Sequence, residues 1–214
     1  AGYDSCGTNI VAKIWKNGVA TSLTDGSHAA AAWAVYVSGN DVYAVGSESN
    51  GTVDIAKIWK NGVATSLTNG SNNARPLSLF VAGPNVYVTG YEFDPVTQPI
   101  AKIWKNGAVT NLTNGSHFAS GYSIFVSGDD VYVAGVETTG INDEAKFWKN
   151  GVVTALTNGT ISEANDVFVS GNDVYIAGYE KTGTNAVGKI WKNGVATSIT
   201  DGTNRAYIAS VFVK

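Results

Sequence analysis

The hydrophobic residues of this chain fall into short runs that are separated by glycine, asparagine and aspartate. Runs such as "LFV" (79–81) and "VYV" (131–133) are apolar on both phases of a strand's alternation, which is typical of strands covered on both faces. No window shows the apolar spacing of an amphipathic helix. The pattern therefore predicts an all-β protein.

The same pattern recurs at a nearly fixed period. The segment "AKIWKNGVATSL" occupies residues 12–23 and recurs letter for letter at 56–67, with near copies starting at 101, 145 and 188. Its tryptophans are separated by 44, 45, 44 and 43 residues: Trp15, Trp59, Trp104, Trp148 and Trp191. A period of about 40–45 residues, with several strands per unit, indicates the blades of a β-propeller.

Each unit divides into four apolar runs, seen in the second full unit at 76–83, 85–93, 100–107 and 108–113. The "KNG" between the last two runs predicts a type I′ hairpin, because asparagine and glycine accept positive φ angles. "SGND" at 38–41 and 170–173 predicts a second tight turn. We therefore expect five blades, each with four antiparallel strands.

Five blades fit only when the two chain ends are combined. The C-terminal "AYIASVFVK" matches the first strand of a unit, and the N-terminus supplies the other three. This predicts a single domain over 1–214, with one blade shared by 206–214 and 1–24 and the others at about 33–68, 76–113, 121–157 and 165–200. Such closure removes free sheet edges. The chain has no methionine, and about six residues of the repeat are missing at the junction, so we expect a processed or trimmed product.

A five-bladed ring closed by strands from both termini resembles the tachylectin-type lectins in blade number and closure. The "AGYE…AKIWKNG…LTNG" pattern also resembles uncharacterised secreted bacterial WKNG-repeat propellers. The first resemblance implies sugar binding near the junctions between blades, although no tachylectin motif is matched residue by residue. The second implies a bacterial protein that is secreted or displayed on the cell surface.

Composition excludes several classes of function. Charged residues make up 14% of the chain and the net charge is −3, which gives no basic footprint for nucleic acid. No apolar run reaches the length of about 18 residues that a membrane span requires. A single cysteine, Cys6, rules out an internal disulfide framework.

Most of the recurring polar residues have a structural interpretation. An acid precedes a lysine by nine or ten residues in every unit, which predicts five ion pairs across a hairpin: Asp4–Lys13, Glu48–Lys57, Glu92–Lys102, Glu137–Lys146 and Glu180–Lys189. The "WKNG" tryptophan is expected to pack between blades rather than to bind ligands, because it occupies one register in all units.

Catalytic and metal-binding patterns are not evident in the sequence. The two histidines, His28 and His117, lie in loops that enter non-adjacent blades, and no group of residues has metal-ligand spacing. No nucleophile-and-base set is suggested. We therefore predict a non-enzymatic protein without a metal or another cofactor. Asp166 replaces a small residue near the central channel, where a carboxylate could hold water or a cation.

The loops that enter the inner strands differ most between blades, and in repeat folds such positions tend to form the ligand surface. Aromatic rings stack on the CH faces of sugars, while neighbouring polar groups bond to the hydroxyls. The predicted site consists of the residues that depart from the repeat: Trp33, Arg75, His117, Phe118, Tyr122, Glu163, Arg205 and Tyr207. We expect a monomeric glycan-binding or adhesion module. The alternatives are a scaffold for protein contacts, or a repeat chain selected only to fold.

Overall fold

The computed structural model describes residues 1–6, 9–94 and 96–214, which form nineteen β-strands and no helix. The strands are arranged as four four-stranded antiparallel sheets and one three-stranded sheet, and they confirm the all-β, five-bladed architecture. In the "HAAAA" segment (28–32), rich in helix-forming alanine, no helix forms and Ala30 begins a strand. The described residues contain no helix of the length and apolarity that crossing a membrane requires.

The strands follow the repeat from blade to blade, and each blade runs from its inner to its outer strand. Blade 1 contains β1 (Gly2–Cys6), β2 (Asn9–Lys16) and β3 (Val19–Ser22), and blade 2 contains β4 (Ala30–Ser38), β5 (Asp41–Ser49), β6 (Asp54–Lys60) and β7 (Val63–Ser66). Blade 3 contains β8 (Ala74–Ala82), β9 (Asn85–Glu92), β10 (Ile100–Lys105) and β11 (Ala108–Asn111), and blade 4 contains β12 (Ala119–Ser127), β13 (Asp130–Thr139), β14 (Asn142–Lys149) and β15 (Val152–Ala155). Blade 5 contains β16 (Ser162–Ser170), β17 (Asp173–Thr182), β18 (Asn185–Lys192) and β19 (Val195–Ser198). The inner strands of blades 2 to 5 begin two or three residues before the boundaries expected from the sequence.

The "KNG" turn has the geometry that its sequence predicts, with φ angles of 52° at Asn17 and 81° at Gly18. Its asparagine also joins the two tight turns of a blade. Asn61 accepts a hydrogen bond from the Val42 amide and donates one to Asp41, each at 2.8 Å. Equivalent bonds recur in blades 3, 4 and 5. Both tight turns of a blade therefore lie on one face, which we call the tight-turn face.

The "WKNG" tryptophan fills the interface between consecutive blades. Trp59, Trp104, Trp148 and Trp191 are at most 1% exposed, and each packs against residues of the preceding blade. Trp104, for example, contacts a cluster that contains Val45 of blade 2 and Val88 of blade 3. These contacts confirm that the repeated tryptophan has a structural role at four of its five positions.

The fifth repeated tryptophan is exposed to solvent instead of being buried between two blades. Trp15 belongs to the three-stranded blade 1 and is 45% exposed. Val37, on the inner strand of blade 2, is 63% exposed, whereas its counterparts Val81, Val126 and Val169 are 6–7% exposed. Trp15 belongs to blade 1 and Val37 to the strand packed against it, and blade 1 is the sheet with three strands rather than four.

Residues 206–214, the C-terminal segment, pack against blade 5 in the place of an inner strand. The Ala206 amide bonds to the Ala186 carbonyl at 2.9 Å, as Ala119 bonds to Pro99 in blade 4. Phe212 continues a series of aromatic rings from the inner strands, with centroids 4.8–5.1 Å apart: Tyr36, Phe80, Phe125, Phe168 and Phe212. The four phenylalanines therefore occupy equivalent places on successive inner strands and the C-terminal segment.

A complementary pair of residues also fits the C-terminal segment to blade 5. Gly188 occupies a position held by alanine in the other four blades, and a Cβ there would lie 2.8 Å from the Ile208 side chain. The larger Ile208 thus takes the volume that Gly188 leaves free. The strand pairings of the described residues do not include the C-terminal segment with β1, so ring closure stays a prediction.

Four of the five predicted ion pairs are present. They join Lys13 to Asp4 at 3.1 Å, Lys102 to Glu92 at 2.7 Å, Lys189 to Glu180 at 3.3 Å, and Lys57 to Glu48. The prediction for blade 4 is wrong: Lys146 pairs with Glu144 at 3.0 Å rather than with Glu137. Glu144 takes a position that is apolar in the other blades and lies two residues from Lys146 on the same face of β14.

Ring closure can be tested by a disulfide across the predicted pairing. Equivalence with blades 3 and 5, where Arg75 lies opposite Tyr91 and Glu163 opposite Tyr179, places Tyr207 opposite Tyr3. Residues opposite each other in an antiparallel pair are about 4.5–5.5 Å apart, within disulfide range. With Cys6→Ser to remove the native thiol, Tyr3→Cys combined with Tyr207→Cys should form an intramolecular disulfide under mild oxidation.

Mass spectrometry and non-reducing electrophoresis would detect this bond. A pairing of Tyr207→Cys with Val63→Cys, at the exposed outer edge of blade 2, serves as the control and should not crosslink within one chain. Failure of the first pair to crosslink, or crosslinking only between chains, would contradict closure within one molecule.

Candidate functional site

The connections between the second and third strands, and those between blades, lie opposite the tight turns. We call this the variable-loop face. Near it, the pairing of each inner strand shifts by one residue, at Trp33, Leu77, Tyr122 and Asn165. A residue at such a bulge leaves the regular alternation, so its side chain is free for another purpose.

A glycine on the neighbouring strand permits each bulge. A Cβ on Gly46, Gly90, Gly135 or Gly178 would lie 1.9–2.0 Å from a carbonyl oxygen of the inner strand. Any larger residue would therefore push the two strands apart. The glycine of the repeated "AGYE" motif consequently helps to shape the variable-loop face.

Two adjoining depressions on this face share Asp54 and Arg75 and together form the Trp33–Arg75 groove, which has lining residues from blades 1, 2 and 3. The Arg75 guanidinium lies over the Trp33 ring, with its carbon 5.6 Å from the ring centroid, and the Tyr3 ring meets Trp33 edge-on at 6.4 Å. The groove is lined by Tyr3, Ile10, Trp33, Ser47, Asp54, Asn73, Arg75, Tyr91 and Phe93. Among the described residues, no carboxylate lies within 4.0 Å of the Arg75 guanidinium.

The aromatic surface continues from the groove towards blade 4. The Tyr91 ring contacts Phe93 at 5.5 Å and Phe118 at 6.0 Å, in edge-to-face arrangements that favour aromatic pairs. The Tyr91 phenol is also close enough to Tyr122 to affect its titration. The groove therefore leads into a group of tyrosines and acids.

This group, the tyrosine cluster, consists of Tyr91, Tyr122, Asp143, Glu163 and Tyr179. Burial, followed by the charge of Glu163, raises the pKa of Tyr122 well above its usual range, and burial and Glu163 do the same for Tyr179. The pKa of Glu163 is also raised, first by burial and then by Asp143, while its interaction with the Tyr179 hydroxyl opposes the shift. The raised pKa values thus favour the neutral forms of Tyr122, Glu163 and Tyr179.

A second depression lies between blade 5 and the start of the C-terminal segment. The Tyr179 and Tyr207 rings form its aromatic wall, meeting edge-on with centroids 4.7 Å apart. The remaining lining comes from two loops and a strand end. We call this depression the Lys181–Arg205 pocket. Its full lining consists of Ile161, Tyr179, Lys181, Thr184, Ala186, Arg205 and Tyr207.

The structure distributes the predicted site residues over these three regions. Trp33 and Arg75 meet in the groove, and Arg205 and Tyr207 meet in the pocket. Glu163 and Tyr122 belong to the tyrosine cluster, and Phe118 packs on Tyr91 beside it. His117 is exposed and lines neither the groove nor the pocket.

Several lining residues were not predicted because they belong to the repeat. Tyr91 and Tyr179 occupy the repeated "AGYE" motif, and Asp54 and Asn73 lie at the start of β6 and directly before β8, where nothing in the sequence singles them out. A signal was nevertheless present, because the tyrosine position holds Ser47 in blade 2 and Val136 in blade 4. A residue needed to build every blade would not vary in this way.

The Asp166 carboxylate is surrounded by hydrogen-bond donors of the protein itself. Its carboxylate accepts hydrogen bonds from the Ser123 hydroxyl at 2.7 Å, the Ser210 hydroxyl at 2.6 Å, and the amides of Val167 and Val211 at 3.0 and 2.9 Å. These donors come from blade 4, blade 5 and the C-terminal segment. Asp166 thus joins three consecutive elements and uses its acceptor capacity in doing so.

Comparisons with known proteins support the fold. The chain matches no protein-family model, and no curated protein matches it. Solved structures with a similar fold include TolB from Acinetobacter baumannii, with a TM-score of 0.54, 16% identity, and coverage of 94% of this chain and 51% of TolB. The acylaminoacyl peptidase of Pyrococcus horikoshii has a TM-score of 0.50, 13% identity, and coverage of 87% and 34%. The chain therefore spans about half the length of TolB and a third of the peptidase, and the likeness concerns the β-propeller fold alone.

The raised pKa of Glu163 in the tyrosine cluster predicts how the stability of the fold depends on pH. Because the folded state raises the pKa of Glu163, the protonated side chain stabilises the fold below the unfolded pKa of about 4.3, and this contribution is lost as pH rises through the folded pKa. Glu163→Gln should therefore increase the melting temperature at pH 8, by roughly 2–4 °C per kcal/mol for a chain of this size, and change it little at pH 4.

Glu144→Gln provides a control of opposite sign. Burial tends to raise the pKa of Glu144, but the Thr139 side chain, Lys146 and the Gly159 amide together outweigh burial and lower the pKa. Its stabilising contribution is present at neutral pH and lost in acid, so Glu144→Gln should be destabilising at pH 8. Equal effects of the two variants in thermal melts monitored by circular dichroism would contradict the assignment.

Proposed function

We propose that this protein is a non-enzymatic carbohydrate-binding module, and that the Trp33–Arg75 groove is its main site. The observation that carries the proposal is the Arg75 guanidinium stacked on an exposed tryptophan, beside the side chains of Asp54 and Asn73. A sugar ring has an apolar CH face and several hydroxyls, and it requires this combination of a flat aromatic surface with adjacent donors and acceptors.

The distribution of polar groups supports binding rather than turnover. Eight lysines form ion pairs with acids, and the "KNG" asparagines of blades 2 to 5 are used in turn-to-turn bonds. In the groove, by contrast, the Asn73 side-chain carbonyl accepts one bond from the Asp54 amide, and the Arg75 guanidinium has no carboxylate within 4.0 Å among the described residues. A secreted or cell-surface location and a monomeric state, expected from the sequence, remain part of this proposal.

The proposal is tested by calorimetric titration of the protein with a panel of neutral and charged oligosaccharides. A shallow site with one stacked ring should bind its sugar at about millimolar to micromolar strength. Trp33→Ala and Arg75→Ala should each weaken binding by at least about tenfold, the loss expected for one stacking or charged hydrogen-bonding contact. Chromatography of the sugar after incubation should show no cleavage.

Lys105→Ala is the matched control. Lys105 also stacks on an aromatic ring, Tyr87, with its nitrogen 5.1 Å from the centroid, but it ends β10 next to a turn of the tight-turn face. Its loss should leave sugar affinity unchanged. If no sugar binds at high millimolar concentration while a protein ligand engages the same face, the scaffold alternative is correct and the glycan proposal fails.

A further inference from the structure

The Lys181–Arg205 pocket differs from the rest of the molecule in its charge. Eight of the fourteen basic residues lie within 4.0 Å of a carboxylate, but Lys181 and Arg205 do not do so among the described residues. Both cations line one pocket, and the lining contains no acid. In a chain with a net charge of −3, one pocket is thus lined by two positively charged residues that have no carboxylate partner among the described residues.

The acids closest in sequence and register have other partners. Glu180 pairs with Lys189 at 3.3 Å and accepts a hydrogen bond from Thr160 at 2.9 Å. Glu163 lies opposite Tyr179 in the sheet, and burial raises its pKa, which disfavours its charged form. Neither acid is positioned to neutralise the pocket, so a bound anion would meet little opposing charge.

The remaining lining suits a sugar ring. Tyr207 is 57% exposed, so its ring offers an apolar surface beside the two cations. The Thr184 hydroxyl can both donate and accept hydrogen bonds. Arginine binds planar oxyanions through two parallel hydrogen bonds, and lysine adds a point charge.

We propose that the Lys181–Arg205 pocket binds the anionic group of an acidic sugar, a carboxylate or a sulfate, with the sugar ring against Tyr207. This inference rests on the proposed glycan-binding function and extends it to a second subsite, separate from the Trp33–Arg75 groove. The pocket selects acidic over neutral glycans, because neutral sugars leave both cations without a partner.

The test uses three oligosaccharides of equal length: a galacturonate oligomer, its neutral galactose counterpart and a sulfated galactose oligomer. Isothermal titration of the full chain should give at least about tenfold tighter binding for one or both acidic sugars than for the neutral one. The preference for uronate or sulfate identifies the anionic group. Raising the salt concentration from about 50 mM to about 500 mM should reduce this preference, since exposed charges are screened.

Lys181→Gln combined with Arg205→Gln should abolish the preference and leave neutral-sugar binding at the groove intact. The control, Lys16→Gln combined with Lys105→Gln, removes the same net charge from the tight-turn face and should keep the preference. Both pairs are exposed, and circular dichroism will verify their folding. Equal binding of acidic and neutral sugars, or an unchanged preference in the first variant, would overturn the inference but not the proposed function. Absence of binding to any sugar would overturn both.

Discussion

The burial of one tryptophan per repeat against the preceding blade is the interaction on which the rest of the structure depends. A tryptophan buries about 150–250 Å² of surface, and truncating one to alanine in a core costs about 3–5 kcal/mol. The repeated contact sets the spacing of the blades and thereby aligns their inner strands. Where the blade is incomplete, the tryptophan is not buried: blade 1 lacks an inner strand among its described strands, and its Trp15 is exposed.

The two faces of the protein follow from this arrangement. On the tight-turn face, the "KNG" asparagine of each of blades 2 to 5 bonds to the neighbouring turn of its own blade, so a change there disrupts the blade itself. On the variable-loop face, the bulges place residues such as Trp33 and Tyr122 outside the regular strand pairing. Substitution at these positions leaves the blade intact, which allows binding residues to differ from one blade to the next.

The sequence predicted the blade architecture well because the same hydrophobic period and turn residues are repeated five times. Prediction failed where a single blade departs from the repeat, as when Glu144 rather than Glu137 pairs with Lys146. The site was predicted only in part. Trp33 and Arg75 stand out as departures, but their neighbour Tyr91 resembles a repeat residue, and its place beside Arg75 depends on strand register. Register across the bulge, which brings these side chains together, has no local signal in the sequence.

We propose that the repeated residues build the blades while the variable-loop face binds a glycan. The six tryptophans allow a direct test, since five belong to the repeat and only Trp33 lies in the groove. In a ¹⁵N-labelled protein each indole N–H gives its own NMR signal. Titration with a binding oligosaccharide should shift the Trp33 signal and leave those of the buried Trp59, Trp104, Trp148 and Trp191 in place. Shifts of the buried indoles without a change at Trp33 would contradict the account.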